Sequence, residues 1–383
     1  MANALLNKGA VTMKMSGIIF SNIYDTTMGE LTRHRTVASM PFGGRYRFID
    51  FVLSNMVNSN ISSIGVITKY NYQSLMDHLG GGAEWDLNRK DANLYILPPF
   101  ATGVTNVYRG NLEALFNAIS FLNATKPDYV VMCDTTVICN IDFNDALRSH
   151  IESGAEVTAI CNSEIESYEC DSNDLVLTEK NGIVDDLAIG YMLGERSKIG
   201  MGMFIIERKT LLNIINNYVS RGRYSFEKDY LMTRFTNDSI KINAYEFKGT
   251  VLRNHNSISY FRNSFKLMEP EIRNNIFKTD AIIRTKVRDQ APTFYHSNCT
   301  VNKCLIADGC EIYGKVENSI LFRGVTIAKD ATVKNSIVMQ GTTVGSGASL
   351  NYAIIDKDVT VSQGASLTGA SSAPIIIHKG QVI

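Results

Sequence analysis

The sequence is poor in the features that usually announce a function. Its seven cysteines form no C-x-x-C pair, which argues against a zinc site or a dithiol redox centre. Reduced thiols in a cytoplasmic protein are the expectation. No run of 18 apolar residues occurs, so no transmembrane helix and no membrane partner are expected. The stretch Met1–Ala10 lacks the basic start and long apolar core of a secretory signal. Net charge is missing as well, with 38 Lys+Arg against 38 Asp+Glu in 383 residues. That balance excludes a generally basic nucleic-acid binder and an acidic solvating tail, and leaves room only for local patches. Trp85 is the single tryptophan, and its large area favours a packed anchor over a lining of some cleft.

What is present falls into two halves with different periods. Up to about residue 262, short apolar runs alternate with helical patterns. Ser16–Ser21, Ile64–Thr68, Tyr129–Cys133 and Val157–Cys161 read as buried strands, and Phe143–Glu152 as a helix. Continuous apolar strands alternating with helices predict an α/β domain with a mostly parallel, doubly covered sheet. Ligands on such sheets bind beyond the carboxyl ends of the strands. The loops after Phe20, Thr68 and Cys133 are therefore where a site is expected.

From Cys299 the pattern changes. Val325, Ala331 and Ile337 are six apart, as are Ile327 and Val333, Ala348 and Ile354, and Val361 and Leu367. A six-residue period sustained over about 70 residues predicts a parallel β-helix. The expected organisation is an N-terminal extension (1–12), an α/β domain (13–262), a helical linker (263–296) and a β-helix (297–383). Solenoid faces and ends often mediate assembly, so an oligomer is expected.

The segment Met40-Pro-Phe-Gly-Gly-Arg-Tyr-Arg-Phe-Ile-Asp50 places Arg45 and Arg47 beside two glycines, a plausible anion site. Together with Gly65–Thr68, Trp85–Arg89, Leu97–Pro99, Pro127–Val130 and Ser336–Met339, it resembles the glucose-1-phosphate adenylyltransferases (ADP-glucose pyrophosphorylases) of bacterial glycogen synthesis. The resemblance spans the chain from Met15. It implies a glycosyltransferase-A-like, Rossmann-like nucleotidyltransferase domain followed by a left-handed parallel β-helix. It also implies a reaction in which glucose 1-phosphate attacks the α-phosphorus of ATP, with Mg²⁺ held by carboxylates.

Laid onto this sequence, the family's motifs are degraded. The glycine-rich phosphate loop becomes Asn22–Met28, with Asp25 in it and Thr27 in place of its arginine. An Asp facing a triphosphate is expected to repel it. The phosphate-binding lysine is Val37. The base-reading glutamine is Lys69. One metal aspartate is Thr136, with Asp134 two residues earlier on the same side of an extended chain, and the other is Arg253. The sugar-binding E-x-E-K-P is absent from the region of Asp185–Gly190. Each lost charged contact forfeits about 2–4 kcal/mol of transition-state stabilisation.

The resemblance is therefore to the non-catalytic, regulatory type of subunit. It implies no cofactor of its own, with Mg²⁺ confined to a catalytic partner, and a hetero-oligomer with that partner, a heterotetramer. Arg45 and Arg47 match an effector-binding segment, so a sugar-phosphate or other anion is expected there, against the alternative that both arginines pair with local carboxylates. Two further readings stay open. One is an active enzyme with a site rebuilt from Arg33, Arg35, Lys69 and Asp134. The other is a stand-alone sugar-phosphate or nucleotide sensor. His78 and His255 show no metal spacing and are expected in surface or packing roles.

Overall fold

The computed structural model describes residues 13–383 except 24, 100–107 and 167–168. The expected extension 1–12 lies outside the described residues. The α/β domain is built on a ten-stranded sheet. Its central strand, Met15–Phe20, is buried along its whole length because both faces are covered. Side chains alternate across a strand. Ile18 and Phe20 accordingly join one core with Val130 and Met132, while Ile19 joins the other with Val66, Val131 and Cys133.

Ser63–Ile67 and Tyr129–Cys133 flank Met15–Phe20 in parallel, and Ala92–Leu97 extends the parallel half. The other half mixes directions: Ile242–Glu246 runs parallel to Val157–Asn162. Lys198–Glu207 runs antiparallel to both Tyr129–Cys133 and Val157–Asn162. The sheet is thus mixed, where a mostly parallel one was expected. Fully buried strands of either direction read as the same apolar run, so residue pattern alone does not separate them.

The helix Phe143–Ser153 shows local sequence control. Asp142 accepts a hydrogen bond from the Asn144 N–H at its start, and Gly154 (φ +57°) ends it, caps worth about 1 kcal/mol at the N-terminus.

The C-terminal part is a solenoid of three five-stranded parallel sheets. Inward columns repeat in register: Ile312, Ile327, Val344 and Val361 on one side, Val316, Val333 and Leu350 on the next, Leu321, Val338 and Ile355 on the third. All are essentially sealed from water. The six-residue period arises because successive sides of one coil each contribute one such residue. At one corner Asn318 donates to Asn335 and Asn335 to Asn351 (2.8 and 2.9 Å), a ladder along the stack.

A third core joins the two parts. Phe42, Phe48, Phe51 and Tyr260 of the α/β side meet Ile320, Ile337 and Ile354 of the solenoid. The helix Ser257–Lys266 runs across the boundary expected at residue 262, and Pro270–Ile276 follows it before an extended stretch leads to Phe294.

Candidate functional site

The degraded phosphate loop follows the central strand and is folded on itself. Asp25 is buried, with Oδ1 accepting from the Val37 N–H at 2.6 Å. Its backbone carbonyl accepts from the Thr32 hydroxyl. Burial pushes its carboxyl up to about 7, opposed by the Val37 hydrogen bond and by Lys69. The expected repulsion of a triphosphate by an outward Asp25 is therefore corrected. The carboxylate is turned inward and closes the loop onto the short helix Val37–Ser39. Thr27 donates to the His255 carbonyl, which ties the same loop to the far side of the cleft.

The two metal positions are likewise bonded internally. Asp134 and Thr136 do not lie on an extended chain as expected. They sit in a bend, with the Thr136 N–H (2.8 Å) and hydroxyl (3.0 Å) both donating to Asp134 Oδ1. Burial raises the Asp134 carboxyl to about 6, against those hydrogen bonds. Arg253 is buried and pairs through both terminal nitrogens with the carboxylate of Asp174. A divalent cation needs convergent oxygen donors. Here a guanidinium fills one ligand position and a hydroxyl the other, and no cluster of three potential metal ligands occurs among the described residues. The side chains present do not fit Mg²⁺.

A polar cleft persists beside this loop. It is lined by Asn22, Ile23, Lys69, Tyr108, Asn111 and Glu227 among others. Lys69 is held below its ordinary value by burial. Arg33 is exposed and meets Glu30 at 3.7 Å. Arg35 is not in this cleft. It is buried, with Nη2 2.6 and 2.5 Å from the two carboxylate oxygens of Asp356 in the solenoid. The rebuilt site of Arg33, Arg35, Lys69 and Asp134 is therefore not assembled: Arg35 and Asp134 are each committed to other partners.

Arg45 and Arg47 lie elsewhere, in a second cleft between the two parts. The hairpin that carries them, Pro41–Phe42 with Tyr46–Arg47, turns through Gly43 and Gly44. Both glycines have positive φ (+58° and +83°), and a side chain on Gly44 would stand 3.7 Å from Ala307 of the solenoid. The glycines thus bring the turn against the β-helix rather than against a phosphate. Facing the two arginines are Lys286 and Arg288 of the extended linker and Arg323 and Lys357 of the solenoid, with Gln340. No carboxylate lines the cleft among the described residues.

The cations there perturb one another. Burial lowers Arg47 to about 10, with Arg35 and Arg288 adding to the effect and Asp50 opposing it. Burial, then Arg47 and Arg35, lower Lys357 to about 7. Burial and then Arg45 lower Arg323. Arg47 donates to the Ser74 carbonyl (2.6 Å) and hydroxyl. Arg45 is exposed. The alternative of local carboxylate pairing does not describe Arg45 or Arg47, for which no ion pair occurs among the described residues. His78, expected in a surface or packing role, lines this cleft with Nε2 2.5 Å from Asp50, and its ring packs edge-on to the buried Trp85. Lys286, Arg288, Arg323 and Lys357 were not legible as site residues. They lie about 240–310 positions further along the chain, and each alone looks like a solvated charge.

The arrangement now has two parts, a nucleotidyltransferase-type sheet with its phosphate loop closed and a hexapeptide solenoid docked to it over a cationic cleft. Residues 17–185 match the nucleotidyl transferase family, and residues 290–371 the GlmU-like C-terminal hexapeptide family. The glycogen biosynthesis protein GlgD of Geobacillus stearothermophilus is 36% identical over 321 residues, covering 84% of this chain and 83% of that protein. GlgD of Bacillus subtilis is 31% identical, covering 82% and 81%. The glucose-1-phosphate adenylyltransferase of Pseudothermotoga lettingae is 30% identical, covering 84% and 76%. A nucleotidyltransferase domain followed by a hexapeptide β-helix defines the class. Within it, the chain belongs to the glucose-1-phosphate adenylyltransferase family that includes GlgD.

Proposed function

We propose that this chain is a regulatory, catalytically deficient subunit in glycogen biosynthesis. It assembles, as a heterotetramer, with a catalytic subunit that makes ADP-glucose from ATP and glucose 1-phosphate. One observation carries the reading. The positions that bind triphosphate and metal in active relatives are occupied here by internal bonds, Asp25 to Val37, Thr136 to Asp134 and Arg253 to Asp174. These bonds compete directly with substrate. The cationic cleft between the two parts, in contrast, has no internal counter-ion among its lining residues. It suits a phosphorylated sugar or similar anion, and a ligand bound there affects a partner only through contacts that differ between active and inactive states.

The test is to mix the purified chain with the catalytic subunit of the same organism. Co-elution and an altered rate of ADP-glucose synthesis, or an altered response to fructose 1,6-bisphosphate, are expected. Separate elution with unchanged kinetics overturns the reading. A second reading, a stand-alone nucleotide or sugar-phosphate sensor, is favoured only by the persisting cleft around Lys69, Asn111 and Glu227. Calorimetric binding of ATP by the isolated chain distinguishes it.

A further inference from the structure

We propose that Lys357 is an acyl-acceptor lysine, modified by acyl phosphates whose phosphate group docks on the guanidinium groups of the cationic cleft. The inference rests on reading that cleft as a phosphate site. Lys357 follows the solenoid strand Ala353–Ile355 and lines the cleft together with Arg45, Arg47, Arg288 and Arg323. The carboxylate next to it in sequence, Asp356, is fully engaged. Arg35 bonds to both its oxygens, and the Lys357 backbone N–H donates to Oδ1 at 2.7 Å. The charged groups that act on the Lys357 amine are therefore mainly cations: Arg47, Arg35 and Lys379, with Asp356 in opposition.

A lysine so placed, partly buried among cations, gives up its proton more readily than an ordinary lysine, lowered to about 7 by burial and then by Arg47 and Arg35. An ordinary surface lysine is neutral in roughly one molecule in a thousand. The neutral amine is the nucleophilic form. In an acyl phosphate the reactive carbonyl carbon is one bridging oxygen away from phosphorus. Guanidinium groups that hold the phosphate therefore place the carbonyl close to the amine, raise its effective concentration and stabilise the departing phosphate.

The step balances without any further reagent. The nitrogen lone pair forms a C–N bond to the carbonyl carbon. The C–O bond to phosphate breaks, and phosphate leaves with that electron pair. The extra proton on nitrogen passes to phosphate or water. The product is an amide that cannot take up a proton, so the cleft loses the ammonium form that an anionic ligand favours, and gains bulk. Acylation would thus lower the affinity of the cleft for its anionic ligand.

The experiment incubates the full chain with acetyl phosphate near neutral pH and maps acetylated lysines by mass spectrometry over time. Lys357 is expected to be acetylated at least tenfold faster than the exposed Lys90 and Lys180. Inorganic phosphate is expected to protect Lys357 and leave the other two unchanged. Arg45→Ala, a change at an exposed residue, is expected to slow Lys357 several-fold. Phosphate binding is measured in parallel by calorimetry. If phosphate binds but Lys357 reacts no faster than Lys90 and Lys180, the lysine proposal falls and the anion site stands. If phosphate does not bind and Lys357 is slow, both fall. Fast reaction of Lys357 without phosphate protection also overturns the proposal, because the phosphate then plays no part in delivery.

Discussion

Arg35 and Asp356 form a buried ion pair, 321 positions apart in sequence, that joins the α/β domain to the solenoid. Arg35 lies two residues before the short helix Val37–Ser39, whose first N–H holds Asp25. Asp356 precedes Lys357 in the cationic cleft. One ion pair therefore stands between the folded loop that holds Asp25 and the cationic cleft.

The first prediction concerns that pair. Removing one partner leaves an uncompensated buried charge, which costs about 3–5 kcal/mol. Arg35→Met and Asp356→Leu are each expected to destabilise by that order in urea denaturation. The double variant is expected to recover most of the loss. Strictly additive losses would show that the pair is not a unit.

The second concerns Asp25. Its carboxyl titrates near 7 in the folded chain against an ordinary value of 3.8. Between those values the folded state binds more protons than the unfolded state, so this group's contribution to stability falls as pH rises through the window and stays low above it. Asp25→Asn keeps an oxygen to accept from the Val37 N–H and carries no charge. It is expected to stabilise the chain by on the order of 2–4 kcal/mol at pH 8 and by little at pH 4. Thermal unfolding at both values checks this.

The third concerns Arg253. Arg253→Asp places a carboxylate where the family resemblance implies a metal ligand. It also strips Asp174 of its buried partner and adds a third acid near Asp134. Loss of several kcal/mol of stability is expected, with no ADP-glucose made by the isolated variant, since Thr27, Val37 and Thr136 remain. Measurable synthesis with Mg²⁺ would contradict the assignment of a closed site.

The fourth concerns proton linkage in the cationic cleft. Lys357 is held near 7 by burial and by neighbouring cations. A bound dianion reverses that field and favours the ammonium form. Phosphate binding at pH 8 is therefore expected to take up protons, seen as a dependence of the calorimetric enthalpy on buffer ionisation. Lys357→Met is expected to abolish the uptake at pH 8. His78 also lines the cleft, but burial holds it below its ordinary value, so its own uptake belongs to pH values below 7.

Much of this was legible before any coordinates. The strands around Ile18, Val66 and Val131 and the solenoid columns through Ile327 and Val333 are written in local hydrophobic period, and local period is what a sequence displays directly. The identities of Thr27, Thr136 and Arg253, where the family resemblance implies an arginine and two metal carboxylates, were equally visible. The direction of Asp25 was not, because a carboxylate in a loop faces water or a backbone N–H according to the position of a segment twelve residues on. The role of Arg35 is equally hidden in sequence, since its partner Asp356 lies in the solenoid.

By itself the sequence determined the two-part fold, since residue identity and spacing carry it. The tertiary structure alone decided where the remaining charges go. It buried Arg35 against Asp356 and Arg253 against Asp174, and it left Arg45, Arg47, Arg288, Arg323 and Lys357 facing one cleft. A charge's role is set by its nearest opposite charge and by its exposure, and neither is a property of position along the chain.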